Sequence, residues 1–261
     1  MKRGGVFIFV FLRILFFCIF IAIGTVFSGM EGISDLPSEV KKMQGEFEKE
    51  ISVQPALEES YLKFVLQDAA ERISAAAASN ESQYFVYVDR NPKKQFVFVC
   101  FFDSASKNAF LIGADKASTG IEKRKGYFIT PLGVFENTTA NVGYRALGTK
   151  NTKGWRGLGT KGSRVWDFGW QKTLKNNQAV NIRFLLHATD PVFGEKKLGQ
   201  IASKGCLRIS GKLNKFLDHY GILDKEYNEQ KKLEKFFWLL AKNREPAVYA
   251  GKYLVVGDSG L

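Results

Sequence analysis

A pair of β-type runs beginning at Tyr84 constrains the fold most strongly. The runs YFVYVD and QFVFVCFF are rich in aromatic and β-branched residues, and a short polar stretch containing Asn91-Pro92 separates them. Two such runs joined by a turn predict a β-hairpin. Further strand-like segments, bounded by clusters of Gly, Asn, Thr and Lys, occupy residues 110–114, 127–129, 165–170 and 182–187. Many short strands at this spacing predict a mostly β sandwich or barrel.

Helical spacing flanks this region on both sides. Apolar residues recur at helical intervals within residues 37–80, and again around residues 213–217 and 233–240. The run YLVVG, at residues 253–257, predicts a closing strand. The expected fold class is therefore mainly β with flanking helices, α+β overall.

The first thirty residues predict export. Lys2 and Arg3 precede an apolar run from Val6 to Phe27, which is typical of a segment read by the secretion machinery. Cleavage after this run and retention as a membrane anchor both remain open, because the run is long enough to cross a bilayer of ~30 Å. Arg13 interrupts the run and favours the shorter signal over a lasting span.

The charge indicates an anionic polymer or surface as partner. The formal net charge is +12 and the sequence pI is about 9.5. No helix-turn-helix, zinc-finger or RNA-binding pattern is present in the sequence, so nucleic acid is not an expected partner. Cell wall and anionic lipid remain.

Cysteine and histidine are scarce. Of three cysteines, Cys18 lies in the export segment, so that only Cys100 and Cys206 could pair in the rest of the chain. This is no disulfide framework. With two histidines and no CxxC, the sequence predicts no metal site.

Cys206 lies in a sequence suited to a nucleophile, Ser203-Lys204-Gly205-Cys206-Leu207-Arg208. Glycine allows a sharp turn in which successive backbone N–H groups point into one space, as an oxyanion hole requires. Lys204 and Arg208 are expected to favour the thiolate. The alternative is a buried structural cysteine, or one bridged to Cys100.

His187 is the better of the two candidate bases. It ends the strand-like run at residues 182–187, and a thiol nucleophile needs a proton acceptor that titrates near the working pH. His219, in the sequence LDHYG, is expected to cap the C-terminal end of a helix.

The segment from His187 to Ile209, HATDPVFGEKKLGQIASKGCLRI, resembles the signature of the bacterial L,D-transpeptidases. That signature has a histidine followed, after about fifteen residues, by Ser or Thr, one further residue, Gly and Cys; here fifteen residues separate His187 from Ser203. Upstream, IGADKASTG and YFITPLGVF resemble two further elements of the family, in the expected order. The resemblance covers roughly residues 84–210.

The resemblance implies an acyl-enzyme mechanism without metal or organic cofactor. Cys206 would attack the carbonyl of the third residue of a peptidoglycan stem tetrapeptide, release D-alanine and pass the acyl group to an amine. His187 would be the base, oriented by the carbonyl of Ala188. The backbone amides of Lys204, Gly205 and Cys206, next to the motif residue Ser203, would form the oxyanion hole.

Two positions depart from the commonest family pattern. Lys204 stands where many members have a second histidine, and Ala188 stands where Gly or Ser is usual. Arg208 matches a position that is often basic in the family. Its guanidinium would either clamp a substrate carboxylate or brace the turn.

The expected organisation has three parts: an export signal or membrane anchor (1–30), a helical stalk or linker (31–80) and an L,D-transpeptidase-like catalytic domain (81–261). The last has a motif core (84–210) and an extension with the closing strand (211–261). Residues 143–170 are expected to form a basic lid, in which Tyr144, Trp155 and Trp166 line the site or belong to the core.

The partners expected are peptidoglycan stem peptides, in the periplasm or cell envelope, with the membrane added if residues 1–30 stay attached. Three alternatives share the same residues: an L,D-carboxypeptidase that uses water, an enzyme that attaches proteins to the wall or detaches them, and a non-catalytic wall-binding protein.

Overall fold

Nine strands and four α-helices make up the described part of the chain. The structure, a computed structural model, describes residues 36–76, 81–120, 122, 125–230 and 233–261. The predicted export segment lies outside the described residues. In chain order the elements are α1 (Ser38–Glu50), α2 (Glu59–Ala76), β1 (Gln83–Asp89), β2 (Phe96–Asp103), β3 (Asn108–Lys116), β4 (Gly133–Glu136), β5 (Tyr144–Arg145), β6 (Arg164–Lys175), β7 (Gln178–Ala188), β8 (Leu207–Ile209), α3 (Gly211–His219), α4 (Lys225–Asn228) and β9 (Tyr253–Gly257), with 3₁₀ turns at Glu195–Lys197 and Leu233–Phe236.

The first sheet has five strands in the order β3-β2-β1-β9-β4. Strand β1 pairs antiparallel with β2 and parallel with β9. Alternate residues of β1 belong to different hydrophobic clusters, because Val86 faces the core between the sheets whereas Phe85 faces the cluster that includes α2. Burial of both faces explains why these runs are almost continuously apolar.

The second sheet has four strands in the order β5-β6-β7-β8, with β8 parallel to β7. One face, which includes Trp166, Phe184 and Leu207, shares the central core with the first sheet. Helices α1 and α3 close that core where the rings of Phe47 and Phe216 meet edge to face at 5.0 Å. Side chains from β7 and β8 that point away from this core form the candidate site.

The predicted fold class is confirmed: two packed sheets with a few helices give an α+β protein in which β structure dominates. The hairpin beginning at Tyr84 is β1–β2. Residues 127–129, expected as a strand, form none; the carbonyl of Ile129 instead accepts the Thr173 hydroxyl at 2.7 Å. The second C-terminal helix is reduced to a 3₁₀ turn, and Phe236 and Leu240 pack around Tyr227.

The helices expected to form a stalk pack against the first sheet. Apolar residues of α1 and α2 are buried, and the ring of Phe47 fills the space where a Cβ on Gly113 would stand. Residues 36–261 consequently form one compact unit that includes both helices. Within the described residues, no helix is both long and apolar enough to cross a membrane.

Candidate active site

The parallel pairing of β7 with β8 brings three predicted site residues onto one face. Arg208 lies opposite His187, one step beyond the pair Leu186 and Leu207. Both leucines face the core. Because side chains alternate along a strand, His187 and Arg208 point to the other face, and Cys206, two residues before Arg208, points the same way.

A tight turn formed by residues 203–206, here called the nucleophile turn, presents Cys206. Gly205 has φ +120°, in the region that favours glycine. Its N–H donates to Ser203 Oγ at 3.0 Å, and Ser203 Oγ donates to the carbonyl of Cys206 at 2.5 Å. A Cβ on Gly205 would lie 2.9 Å from Cδ1 of Ile182. Glycine is therefore required here both by backbone conformation and by space.

The upstream motif holds the nucleophile turn from the other side. The buried Thr130 hydroxyl accepts the N–H of Gly120 at 2.8 Å and donates to the carbonyl of Gly205 at 2.9 Å. A Cβ on Gly120 would stand 2.7 Å from the Cα of Gly205. Thr130 belongs to the motif YFITPLGVF, but no role was predicted for it, because its position before Pro131 is the only signal in the sequence.

His187 is held as a neutral base. It is 3% exposed, and its Nδ1 lies 2.7 Å from the carbonyl oxygen of Ala188. Because a carbonyl only accepts, Nδ1 carries the proton and Nε2 keeps its lone pair. Burial lowers the pKa of His187 to about 4, and Arg208 acts in the same direction, while the Ala188 contact opposes them. The imidazole is therefore neutral at pH 7.

The sulfur of Cys206 is not in the electropositive setting expected from the sequence. Burial raises the pKa of the thiol above its ordinary value; the Leu185 N–H and Arg208 lower it, but not enough to reverse the shift. Lys204 is exposed, with its Nζ 5.6 Å from the ring centroid of Tyr127. Arg208 favours the thiolate as expected, but desolvation outweighs this nearby cation, so the thiol is the resting form.

The pair accordingly rests as thiol and neutral imidazole. The sulfur lies 3.8 Å from the carbonyl oxygen of Arg183, and no hydrogen bond joins Cys206 to His187 among the described residues. Catalytic hydrogen bonds are often long before substrate binds.

The predicted oxyanion hole keeps two of its three amides. The N–H of Gly205 is engaged by Ser203 Oγ and is not available to a substrate. In the described part of the chain, the N–H groups of Lys204 and Cys206 donate to no protein acceptor. These two amides are the remaining donors for a negatively charged oxygen near the sulfur.

Arg208 braces the polypeptide beside the nucleophile turn. Its Nη1 donates to the carbonyl of Ala202 at 3.1 Å, and its guanidinium carbon lies 5.8 Å from the ring centroid of Trp155. Its buried Nε has no hydrogen-bond partner in the described structure. These contacts fit bracing, one of the two roles considered for Arg208.

The predicted lid is tied to the end of β7. The carboxylate of Asp190 accepts the N–H groups of Arg156 at 3.0 Å, Val192 at 2.9 Å and Phe193 at 2.8 Å. Burial would raise the pKa of Asp190, but these hydrogen bonds together with Arg156 hold it below its ordinary value. Trp155 stacks on Phe193 with 6.3 Å between ring centroids.

The lid also lines a cavity of about 440 Å³ that is open to solvent, and the lining residues include Tyr144, Trp155 and Leu158. Tyr144 of β5 pairs with Val165 of β6, and Val165 pairs with His187 of β7. The cavity therefore begins in the same cross-strand row of residues as His187. Trp166, by contrast, is fully buried in the core. Of the three aromatic residues, Tyr144 and Trp155 therefore line a cavity, and Trp166 belongs to the core.

The structural alternatives for the other candidates are also resolved. Cys100 and Cys206 are both free, so no disulfide bridges them. His219 is the last residue of α3, and its ring packs edge to face on Tyr220 at 4.7 Å.

Comparison with known proteins adds little to this picture. No model of a protein family matches the chain, and no curated protein gives a significant match. Among solved structures, the chain is similar to one described as "Crystal structure of Fused Zn-dependent amidase/peptidase/peptodoglycan-binding domain-containing protein from Clostridium acetobutylicum ATCC 824", at 14% identity and a TM-score of 0.32. The match covers 78% of this chain and 65% of that one. A similarity this distant supports no conclusion about function. The evidence for the site is therefore the geometry of its own residues.

Proposed function

We propose that the protein is a cysteine acyltransferase of the L,D-transpeptidase type that acts on peptidoglycan stem peptides. One observation carries the proposal: Cys206, His187 and Arg208 share one face of the second sheet, with His187 Nδ1 held 2.7 Å from the Ala188 carbonyl. A thiol beside a neutral, oriented imidazole is the arrangement that nucleophilic acyl transfer requires.

In the acylation step, His187 Nε2 takes the thiol proton while the sulfur of Cys206 attacks the substrate carbonyl carbon. The carbonyl oxygen gains the negative charge and receives the N–H groups of Lys204 and Cys206. Collapse of this intermediate breaks the bond to D-alanine, whose amine leaves with the proton returned by His187. The product is a thioester on Cys206.

In the second step an acceptor amine attacks the thioester carbonyl, and His187 takes the amine proton and gives it to the departing sulfur. Water in place of the amine would make the same site a carboxypeptidase. The lid cavity beside Tyr144 gives the acceptor or donor peptide a place next to the row that carries His187.

Arg208 and the charge of the whole chain suit this substrate. Stem peptides end in carboxylates, and the chain carries a net charge of +12. A guanidinium such as that of Arg208 recognises a carboxylate through directed N–H donors. Export to the periplasm or cell envelope, directed by residues 1–30, belongs to the same proposal because the polymer lies outside the cytoplasm.

Intact-mass spectrometry tests the proposal. The purified full chain is incubated with a disaccharide-tetrapeptide, in parallel with Cys206→Ala, His187→Ala and a His219→Gln control. The expected result is a thioester adduct with loss of D-alanine, absent in Cys206→Ala and retained in His219→Gln. Product masses separate transfer to an amine from transfer to water. A folded wild-type chain that has a free Cys206 thiol but yields no adduct and no turnover would refute the proposal.

A further inference from the structure

The β6–β7 hairpin extends the candidate site into an exposed surface. Its solvent side, here called the hairpin face, consists of Trp170, Lys172 and Leu174 on β6, opposite Arg183, Asn181 and Ala179 on β7. The side chain of Trp170 is 68% exposed and that of Leu174 is 50% exposed. Large apolar side chains fixed in solvent next to a reactive group indicate a contact surface.

This face is continuous with the nucleophile. Arg183 belongs to it and also provides the carbonyl oxygen 3.8 Å from Cys206 Sγ. His187, Leu185, Arg183, Asn181 and Ala179 alternate along one side of β7, so the surface runs from the base to the hairpin tip. From Leu185 to Ala179 the strand spans about 20 Å at ~3.3 Å per residue.

The hairpin is held rigidly at its tip and on its opposite side. Asn176 and Asn177 form a two-residue turn at φ 49° and 60°, which matches the twist of a hairpin. On the opposite side Thr173 donates to Ile129, and Lys175 Nζ lies 4.7 Å from the ring centroid of Phe128. The exposed Trp170 is therefore presented on a fixed support.

The side chains of the hairpin face suit a carbohydrate polymer. An aromatic face attracts the partly positive C–H groups of a sugar ring, and the Asn181 amide both donates and accepts, as hydroxyl and N-acetyl groups require. The charge is also complementary to stem carboxylates, because Lys172 is exposed and Asp167, the acid nearest Arg183, is already paired with it at 2.8 Å.

Other polymers and surfaces fit less well. A lipid surface requires a contiguous apolar face, whereas here Trp170 and Leu174 alternate with Lys172 and lie opposite Asn181. A nucleic acid requires several cations that are free to meet phosphates, and Arg183 is engaged by Asp167.

We infer that the hairpin face binds the amino-sugar strand of peptidoglycan and holds the polymer beside Cys206. This inference rests on the proposed function for the chemistry at Cys206. The hairpin face itself is independent of that function, because it follows from the pairing of β6 with β7 and from the exposure of Trp170 and Leu174.

Co-sedimentation of the full chain with purified sacculi tests the inference. Trp170→Ala is compared with Trp238→Ala, a matched loss of an indole that is 59% exposed in the C-terminal segment. Loss of an aromatic anchor is expected to weaken sacculus binding by about tenfold for Trp170→Ala, and Trp238→Ala should bind as the wild type does. Binding to glycan strands stripped of their stem peptides should show the same order.

Thioester formation with a soluble stem tetrapeptide that carries no sugar separates this inference from the function proposed above. Trp170→Ala should form the adduct within about twofold of the wild type, because this substrate lacks the sugars that the hairpin face binds and the indole lies outside the reacting atoms. Equal sacculus binding by both tryptophan variants would overturn the inference, as would a Trp170→Ala defect seen only with anionic vesicles or with nucleic acid. Loss of sacculus binding in Trp170→Ala, in a chain that forms no adduct, would leave the inference standing and remove the proposed chemistry.

Discussion

The two sheets each carry one cysteine of the compact unit, in opposite settings. Cys100 lies in β2 of the first sheet, fully buried in the cluster that includes α2. Cys206 lies directly before β8, partly exposed at the outer face of the second sheet. Burial is the leading influence on both thiols and raises both pKa values.

The difference lies in what opposes burial. Desolvation is the one cause of the Cys100 shift, whereas the Leu185 N–H and Arg208 partly offset it at Cys206. A sheet face covered by a helix keeps a thiol inert. The outer face of the second sheet carries polar side chains instead. It supplies a hydrogen-bond donor (the Leu185 N–H), a cation (Arg208) and a base (His187) on neighbouring strands.

The sharpest test of this contrast makes the same substitution in both sheets. Cys206→Ser should lower acyl transfer by at least about 10³-fold, since removal of a nucleophile disables the whole catalytic unit. Its unfolding free energy should stay near the wild-type value. Cys100→Ser should instead lower the unfolding free energy by about 1–3 kcal/mol, because a hydroxyl is buried without a partner. Turnover assays and urea denaturation of both variants measure the two effects; equal losses of activity would contradict the contrast.

The base provides the next largest effect. His187→Ala should lower acyl transfer by about 10²–10⁴-fold, the usual contribution of a general base. In the wild type, kcat/KM should fall on the acid side with an apparent pKa of about 4 instead of the ordinary 6.5, because the buried imidazole resists protonation. A pH profile with its acid limb near the ordinary value would show that His187 is not the base.

The same pKa has a consequence for stability. Since the folded-state pKa of His187 lies below the ordinary value, the unfolded chain binds the proton first as pH falls. The stabilisation is full above pH 6.5 and is lost as pH falls toward 4. The loss amounts to about 3 kcal/mol at 1.36 kcal/mol per pKa unit. Urea denaturation at pH 7 and pH 4.5 should show this decline in the wild type and a smaller one in His187→Gln.

A substitution at Thr130 tests whether the activity of Cys206 depends on the hydrogen bonds that hold the nucleophile turn. Thr130→Val leaves the Gly120 N–H and the Gly205 carbonyl without their common partner. The unfolding free energy should fall by about 1–3 kcal/mol. Acyl transfer should fall by about 10–100-fold in kcat, because small displacements of a nucleophile are costly. Thr130→Ser keeps the hydroxyl and should restore both values; a Val variant with normal kcat would remove Thr130 from the positioning of Cys206.

Arg208 gives the smallest effect. Since its charge lowers the pKa of the Cys206 thiol, Arg208→Gln should raise that pKa and bring Cys206 closer to Cys100. Alkylation by iodoacetamide at pH 8 should slow by about two- to fivefold, as expected when one partly screened cation is lost. Arg208→Lys keeps the charge and serves as control. An unchanged rate in the Gln variant would assign Arg208 to bracing alone.

Patterns that depend on local order were predictable from the sequence. The hairpin from Tyr84 and the closing strand followed from β-type runs. The spacing of His187 and Cys206 made both residues candidates for catalysis, and their roles stay a prediction. The Ala188 carbonyl also lies where the family resemblance placed it, 2.7 Å from His187 Nδ1. Each of these features is set by residues that are neighbours along the chain or within one motif.

Features that depend on distant partners were not predictable. The hydroxyl that holds Gly205 comes from Thr130, 75 residues upstream, and no local pattern connects the two. Whether desolvation or a nearby cation controls the Cys206 thiol depends on how closely β7 covers the sulfur, which is a tertiary property. The irregular backbone at residues 127–129 has the composition of a strand, but Thr173 takes up the Ile129 carbonyl.

The place of β9 in the first sheet has a consequence for how the molecule reaches its folded state. Residues 253–257, the last strand along the described chain, lie inside the sheet, between β1 and β4. Leu254 pairs with Val86, so this contact closes a very long loop. A nascent chain that lacks these residues has a gap between β1 and β4 and cannot support a finished core. The Cys206 thiol would therefore become competent only after residues 253–257 have been made and have paired with β1.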